Sequence, residues 1–263
     1  MSKPVITWGL ALLKKKGPAG IIRSLPDLIY PDNLYCACCG DAIDRRTREH
    51  SLCDKCIEKI TWVSDNPYAS YMDDLAFDEL FACCLYGYYP RKIIQKLKFG
   101  EARYLARPLA KLMAERVMLY YGDMEIVRRS FDCVTYIPSS KEKLQSRGYN
   151  QAQLLAKYVS KELGLALEDL LIKPKETAPV RLAGKEERKL ILEGAFEMDP
   201  DAQLAGHRLK GDLPLKGVRI LLVDDVLTTG STASEAALTL KNAGCAFVGV
   251  LVFASGNGMV QRK

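Results

Sequence analysis

The stretch Val218 to Thr232, VRILLVDDVLTTGST, constrains the fold of this chain more than any other. Val218 to Val223 is short, apolar apart from Arg219 and rich in β-branched residues, the pattern of a strand buried on both faces of a parallel sheet. The acidic pair Asp224 and Asp225 is expected to end that strand. Val226 and Leu227 follow, then the small residues Thr228, Thr229, Gly230, Ser231 and Thr232. A segment with Ala236, Leu238, Leu240 and Ala243 then suits an amphipathic helix. The order is strand, acids, small-residue turn, helix.

That order suits one kind of ligand. Small residues let backbone N–H groups approach an anion, hydroxyls add donors, and the following helix N-terminus favours negative charge. The turn is therefore a cradle for a phosphate. Carboxylates only accept hydrogen bonds, so the pair beside the cradle suits a vicinal diol such as the ribose 2′ and 3′ hydroxyls. Together they describe a ribose 5-phosphate.

The N-terminal part carries a second pattern. Cys36, Cys39, Cys53 and Cys56 form C-x2-C-x13-C-x2-C, the spacing of two knuckles that converge on one tetrahedral zinc. Four thiolates leave no open coordination position, so the expected metal is structural. Cys38 is an alternative ligand within the first knuckle. His50 is another, although a lone histidine in a polar loop is more often solvated. Arg45, Arg46 and Arg48 between the knuckles form a basic finger. With nine cysteines in 263 residues and no signal-peptide pattern, the composition points to metal binding and core thiols in a cytoplasmic protein, not to a secreted disulfide scaffold.

The formal charge of +6 is too modest to name a polyanionic partner by itself, and apolar runs fall short of the ~18 residues a membrane span needs. Local charge is more telling. Arg91, Lys92, Lys96 and Lys98 alternate with Ile93, Ile94, Leu97 and Phe99, making an amphipathic basic stretch and a candidate phosphate-backbone surface for nucleic acid. Its bland counterpart is a helix with a charged outer face. Strands are expected at Phe81 to Tyr89, Asp132 to Pro138, Leu167 to Lys173 and Ala246 to Ala254, with Cys83 and Cys84 as core thiols. A helix is expected from Ala152 to Gly164, and a short one at Ile6 to Lys16. The loop SSKEKLQSRGYNQ offers hydroxyls with Lys141, Lys143 and Arg147 for a second anionic group. His207 reads as a solvated loop histidine.

Four segments, CACCG with LCDKC, KLKFGEARYLA, IPSSKEKLQSRGYNQAQLLA and ILLVDDVLTTGST, together resemble the ComF/GntX family, in which a zinc ribbon precedes a phosphoribosyltransferase-like domain. The resemblance implies an α/β fold with a type I phosphoribosyltransferase-like parallel sheet flanked by helices. It divides the chain into a ribbon unit over 1–64 and the larger domain over 75–263, with a polar linker from Ser64 to Asp74. It implies that Asp224 to Thr232, with Lys141 and Arg147, bind phosphoribosyl pyrophosphate (PRPP) together with Mg2+, the two aspartates being the candidate catalytic pair. It further implies a role in natural transformation, through single-stranded DNA or a DNA-handling protein. The alternative is an active phosphoribosyltransferase of nucleotide metabolism with an unidentified acceptor. The segment PKETAPVRLAGKEERKLILEGAF stands where related enzymes carry a mobile loop. It keeps Glu187, Arg188, Gly194, Ala195 and Phe196 but has Val180 and Ile191 where polar residues are expected.

Overall fold

The computed structural model describes residues 34–43, 50–63, 75–99, 102–174 and 194–256, apart from the side chain of Arg208. The expected helix at Ile6 to Lys16, the arginine finger, the polar linker and most of the segment PKETAPVRLAGKEERKLILEGAF lie outside the described residues.

The larger domain is built on a five-stranded parallel sheet. Its strands are β1 (Glu79–Leu85), β2 (Cys133–Tyr136), β3 (Ala166–Leu167), β8 (Arg219–Leu227) and β9 (Phe247–Ser255), in the order β1-β9-β8-β2-β3. Two short antiparallel pairs stand apart, β4 (Leu171–Ile172) with β5 (Glu197–Met198) and β6 (Gln203–Leu204) with β7 (His207–Arg208). The helices are α1 (Asp54–Ile57), α2 (Tyr88–Phe99), α3 (Ala106–Tyr121), α4 (Met124–Ser130), α5 (Lys141–Arg147), α6 (Gln151–Leu163) and α7 (Ser231–Asn242).

Strand periodicity divides the core between two faces. Phe81, Val134, Leu221, Val223, Leu251 and Phe253 pack with the apolar sides of α2, α3 and α6. Leu80, Ala82, Cys133, Ile220, Leu222, Val250 and Val252 pack on the other face with Ala233, Ala236, Ala237 and Leu240 of α7. Burying a side chain of this size stabilises by about 1.5–3 kcal/mol, so both layers are needed. Gly249 in β9 lets the Phe131 ring press against the strand: a Cβ there would lie 2.9 Å from it.

The chain leaves β2 through α6 towards one edge and leaves β8 through α7 towards the other, with the two helices on opposite faces. The β2/β8 junction is therefore a topological switch point, where open α/β sheets form a crevice beyond the carboxyl ends of their strands. The sequence places its acids and its small-residue turn at that end of β8.

The expected α/β sheet flanked by helices is present, with differences in detail. Helix α2 begins at Tyr88, so the strand expected to run to Tyr89 stops at Leu85. The segment Leu167 to Lys173 is two short strands in different sheets. Part of the anion loop is the helix α5, and exposed His207 sits in a hairpin strand.

The ribbon does not hang free. Thr61 to Val63 lies antiparallel to β1, through bonds from Val63 N to Cys83 O (3.0 Å) and Leu85 N to Thr61 O (2.8 Å). Cys36, Cys38, Leu52, Cys56 and Ile60 join the same apolar layer as α2 and α3. His50 is not solvated as expected: its Nε2 lies 2.9 Å from Oε2 of Glu115 on α3.

A candidate ribose-phosphate crevice and a candidate metal centre

Strand β8 does not end at its acids, as the sequence suggested. It continues to Leu227 because β9 stays paired with it as far as Leu227 opposite Ser255. Strand β2 stops earlier, at Tyr136 opposite Val223. From Asp224 onward, then, β8 is paired on one edge and open on the other. Strand alternation sends Asp224 towards the α7 face and Asp225 towards the face covered by α2 and α6.

Asp225 is 7% exposed, with the Lys98 ammonium of α2 lying 2.5 Å from its Oδ2. That oxygen has no hydrogen bond of good angle, so the ion pair is its compensation. Asp224 Oδ1 accepts from the Asp225 N–H at 2.8 Å. Burial, and next the Asp225 charge, push the Asp224 carboxyl up to about 8, with Lys98 pulling the other way. Beside the Asp225 charge, Asp224 holds its proton near neutral pH until further cations or hydroxyl donors arrive.

Cations surround the pair. Lys143 of α5 loses hydration and feels Arg147 and Lys98, which lowers its pKa, while Asp224 and Asp225 act in the opposite sense. Lys173 is lowered by desolvation and then by Lys143, opposed by Asp224. Lys173 also lies 5.1 Å from the centre of the Phe196 ring, and the Arg147 guanidinium 4.9 Å from that of Phe99. Of the three basic residues expected in the anion loop, Lys143 and Arg147 belong to this group. Lys143 and Arg147 are four apart on one face of α5, whereas Lys141 starts the helix two residues away from Lys143. The i, i+4 spacing is what separates Lys143 and Arg147 from Lys141. Lys98, expected on a nucleic-acid surface, pairs with Asp225 at the crevice.

The phosphate turn follows directly. Gly230 takes φ 81° as the N-cap of α7, and the Thr229 Oγ1 before it accepts from the Ser231 N–H at 3.5 Å. A ligand oxygen can compete for that long bond and take the neighbouring first-turn N–H groups. Thr229 and Ser231 hydroxyls lie 3.0 Å apart, Thr228 is exposed, and Thr232 is half-buried in the first turn. Val226 and Leu227 pack inward and carry the turn. Gly194 N donates to Glu235 on α7 at 2.7 Å, which fixes Gly194 against the helix that follows the turn. Two more buried polar atoms without partners, Gln151 Nε2 and Ser255 Oγ, stand at the start of α6 and the end of β9. A cavity of about 470 Å3 lies elsewhere, near Asp132, Glu168 and Val218 at the amino ends of β2 and β8. The chemistry is concentrated at the carboxyl ends.

The cysteine cluster assembles as the spacing implied. The sulfurs of Cys36, Cys39, Cys53 and Cys56 all lie within 4.8 Å of one another. Gly40, at φ 85°, closes the first knuckle by donating to Cys36 O, and the second knuckle runs into the one-turn α1. Cys38 is buried outside the four and Cys83 and Cys84 are core thiols. Burial works against the Cys36 thiolate, yet N–H groups of Cys39, Cys53 and Cys38 bring it down to about 7. Burial and then neighbouring thiols push Cys39 up to about 11 and Cys56 higher still. Such a donor set fits one divalent, thiophilic ion, which would remove the mutual repulsion.

The remaining basic residues of α2 divide. Lys96 turns inward and donates to the carbonyls of Ala37 (2.8 Å) and Cys38 (3.3 Å). Arg91 and Lys92 are exposed, with Lys92 lying 5.0 Å from the centre of the exposed Tyr88 ring. The four residues expected on one surface therefore do not share one.

No family model matches the chain. The DNA utilization protein YhgH of Salmonella typhi is 30% identical over 164 residues, covering 60% of this chain and 63% of that protein, less than two thirds of its length. The protein of the same name from Escherichia coli K12 is 25% identical over 252 residues, 95% of this chain and 96% of that one. Competence protein F of Haemophilus influenzae is 25% identical over 216 residues, 80% of each chain. Among solved structures, a purine phosphoribosyltransferase from Pyrococcus horikoshii aligns at TM-score 0.30 and 18% identity, over 58% of this chain and 74% of its own. A hypoxanthine phosphoribosyltransferase from Staphylococcus aureus aligns at 0.34 and 9%, over 60% and 67%. No membrane-spanning helix is present among the described residues. The chain is thus similar to competence protein F over 80% of its length and to a YhgH protein over 95% of it.

Proposed function

We propose that the crevice binds PRPP, or another ribose 5-phosphate, with Mg2+, and that the protein acts in the cytoplasm during natural transformation through single-stranded DNA or a DNA-handling partner. The observation that carries the ligand reading is the juxtaposition at one open strand edge of Asp224 and Asp225 with Lys98, Lys143, Arg147 and Lys173. The words competence and DNA utilization in the names of the relatives support the biological half.

Each group has a task. Asp224 and Asp225 accept from the ribose hydroxyls. The N–H and hydroxyl groups of Thr228, Thr229, Gly230, Ser231 and Thr232 donate to the 5′-phosphate. Lys143 and Arg147 hold the pyrophosphate, and Lys98 keeps Asp225 compensated until the ligand enters. The carboxylate oxygens suit a hard cation, and Mg2+ bound there would neutralise pyrophosphate and orient the diol. These residues position and stabilise charge; none is a nucleophile. The alternative reading, a transferase with an unidentified acceptor, draws on the same juxtaposition. Calorimetry with Mg2+ and PRPP tests binding, and pyrophosphate release across a panel of nucleobases separates the two readings. Binding without release supports a PRPP-binding protein, release with one base supports the enzyme, and no binding removes both.

A further inference from the structure

Three consecutive residues of α2 reach three separate parts of the molecule. Lys96 donates to the carbonyls of Ala37 and Cys38 inside the first cysteine knuckle. The Leu97 carbonyl accepts from the Tyr149 hydroxyl, two residues beyond Arg147. The Lys98 ammonium lies 2.5 Å from Asp225 Oδ2. Neighbours on a helix are rotated by roughly 100° and advance by about 1.5 Å, so these contacts radiate from one rigid turn. The turn has little room to adjust, because Ile93, Ile94 and Leu97 are at most 2% exposed in the layer that also contains Cys36, Cys38 and Cys56. A shift that breaks one contact displaces the others.

We propose that Lys96, Leu97 and Lys98 form a positioning element through which zinc in the ribbon sets the affinity of the crevice for a phosphorylated ribose. The proposal rests on the PRPP reading of the crevice. The carbonyls that Lys96 grips belong to the knuckle turn between Cys36 and Cys39, whose sulfurs suit zinc. With that turn ordered, Lys96 fixes the register of α2, Tyr149 fixes the end of the anion loop against it, and Lys98 reaches Asp225. Loss of order in the knuckle frees Lys96, and α2 then no longer holds the other two contacts in place. Coupling of this kind is reciprocal, so a ligand in the crevice must raise zinc affinity by the factor by which zinc raises ligand affinity. If Lys96 only fastened the ribbon to the domain, its loss would cost stability and leave ligand affinity alone.

The test uses the full zinc-loaded chain and Mg2+ with PRPP as the probe. Affinity is measured by calorimetry for wild type, Lys96→Met, Lys96→Arg and Tyr149→Phe. Zinc affinity is measured by equilibrium competition with a chromogenic chelator, with and without saturating PRPP. Lys96→Met is expected to retain zinc yet bind PRPP about five- to tenfold more weakly, with Lys96→Arg recovering most of the loss. PRPP is expected to tighten zinc binding by a similar factor in wild type and to do so no longer in Lys96→Met. Wild type that binds no PRPP overturns the crevice reading, and this proposal with it. Wild type that binds PRPP, while neither Lys96→Met nor Tyr149→Phe changes its affinity and PRPP leaves zinc affinity unaltered, overturns the coupling alone. Should Lys96→Met fail to fold, Tyr149→Phe decides: weakened binding supports the element and unchanged binding removes it.

Discussion

The cysteine cluster and the acidic crevice both bring like charges together, and the chain treats them differently. In the ribbon, backbone N–H groups stabilise a single thiolate, so Cys36 falls to about 7 while Cys39 rises to about 11. Fixed dipoles cannot be redistributed, and full ionisation of the cluster waits for a metal. In the crevice, compensation comes from the flexible ammonium of Lys98 and from Lys143, Arg147 and Lys173 nearby. Side-chain cations can turn from a carboxylate to a phosphate. The first arrangement suits a permanent structural ion and the second an exchangeable ligand.

The largest effect expected from this contrast is at the ribbon. Cys53→Ser should reduce zinc from about one per chain to none and lower the melting temperature strongly, since metal binding to such clusters is folding free energy. Elemental analysis and thermal melts check it, and a chain that keeps its stability without metal would dissolve the contrast.

In the crevice the expected losses are smaller and selective. Lys143→Met should weaken Mg2+-dependent PRPP binding by roughly ten- to a hundredfold, the worth of a charge-assisted hydrogen bond, while Lys141→Met changes it by less than about twofold. Calorimetry on both variants compares the helix-face reading with the loop reading directly.

Proton linkage sharpens the comparison further. Asp224 titrates near 8 in the fold, well above a free carboxyl, so its contribution to stability is fully present below the free-carboxyl range and is lost as pH rises through about 8. Asp224→Asn should therefore raise the melting temperature of ligand-free protein at pH 9 by about 2–8 °C, the equivalent of about 1–2 kcal/mol. The same titration predicts that wild-type affinity for PRPP with Mg2+ rises from pH 6 to pH 8, as Asp224 gives up its proton. Differential scanning calorimetry and titrations in matched buffers read the two effects.

The smallest effect concerns the outer face of α2. Arg91→Ala with Lys92→Ala should weaken single-stranded DNA binding across sequences and reduce the salt slope by up to about 1.4, as expected for two phosphate contacts on single strands. Fluorescent-oligonucleotide titrations at several salt concentrations measure it. An unchanged slope would move any DNA surface away from α2.

What was legible in the sequence was local. The β-branched run, the acids and the small-residue turn lie in adjacent positions, and the cysteine spacing is short-range on each side of its loop. Helix α5 is legible in its ends, since Ser140 caps it by accepting from Lys143 N–H and Gly148 ends it in the left-handed conformation. The hydroxyls and the glycine, read as loop residues, were its end caps. The destinations of Lys96, Lys98 and His50 were not legible, because their partners Ala37, Asp225 and Glu115 are distant in sequence and a charge pattern records no long-range partner. The continuation of β8 past Asp225 likewise depends on β9 and not on the residues of β8 itself.

The most direct measurement is calorimetric titration of PRPP with Mg2+ into wild type and the Asp224→Asn, Asp225→Asn double variant, each checked for fold by circular dichroism. Removal of both acceptors for the ribose diol should weaken binding by at least about a hundredfold while the fold is retained. Wild-type affinity in a folded double variant would contradict the account, and would make the acidic pair a buried feature of β8 without a ligand.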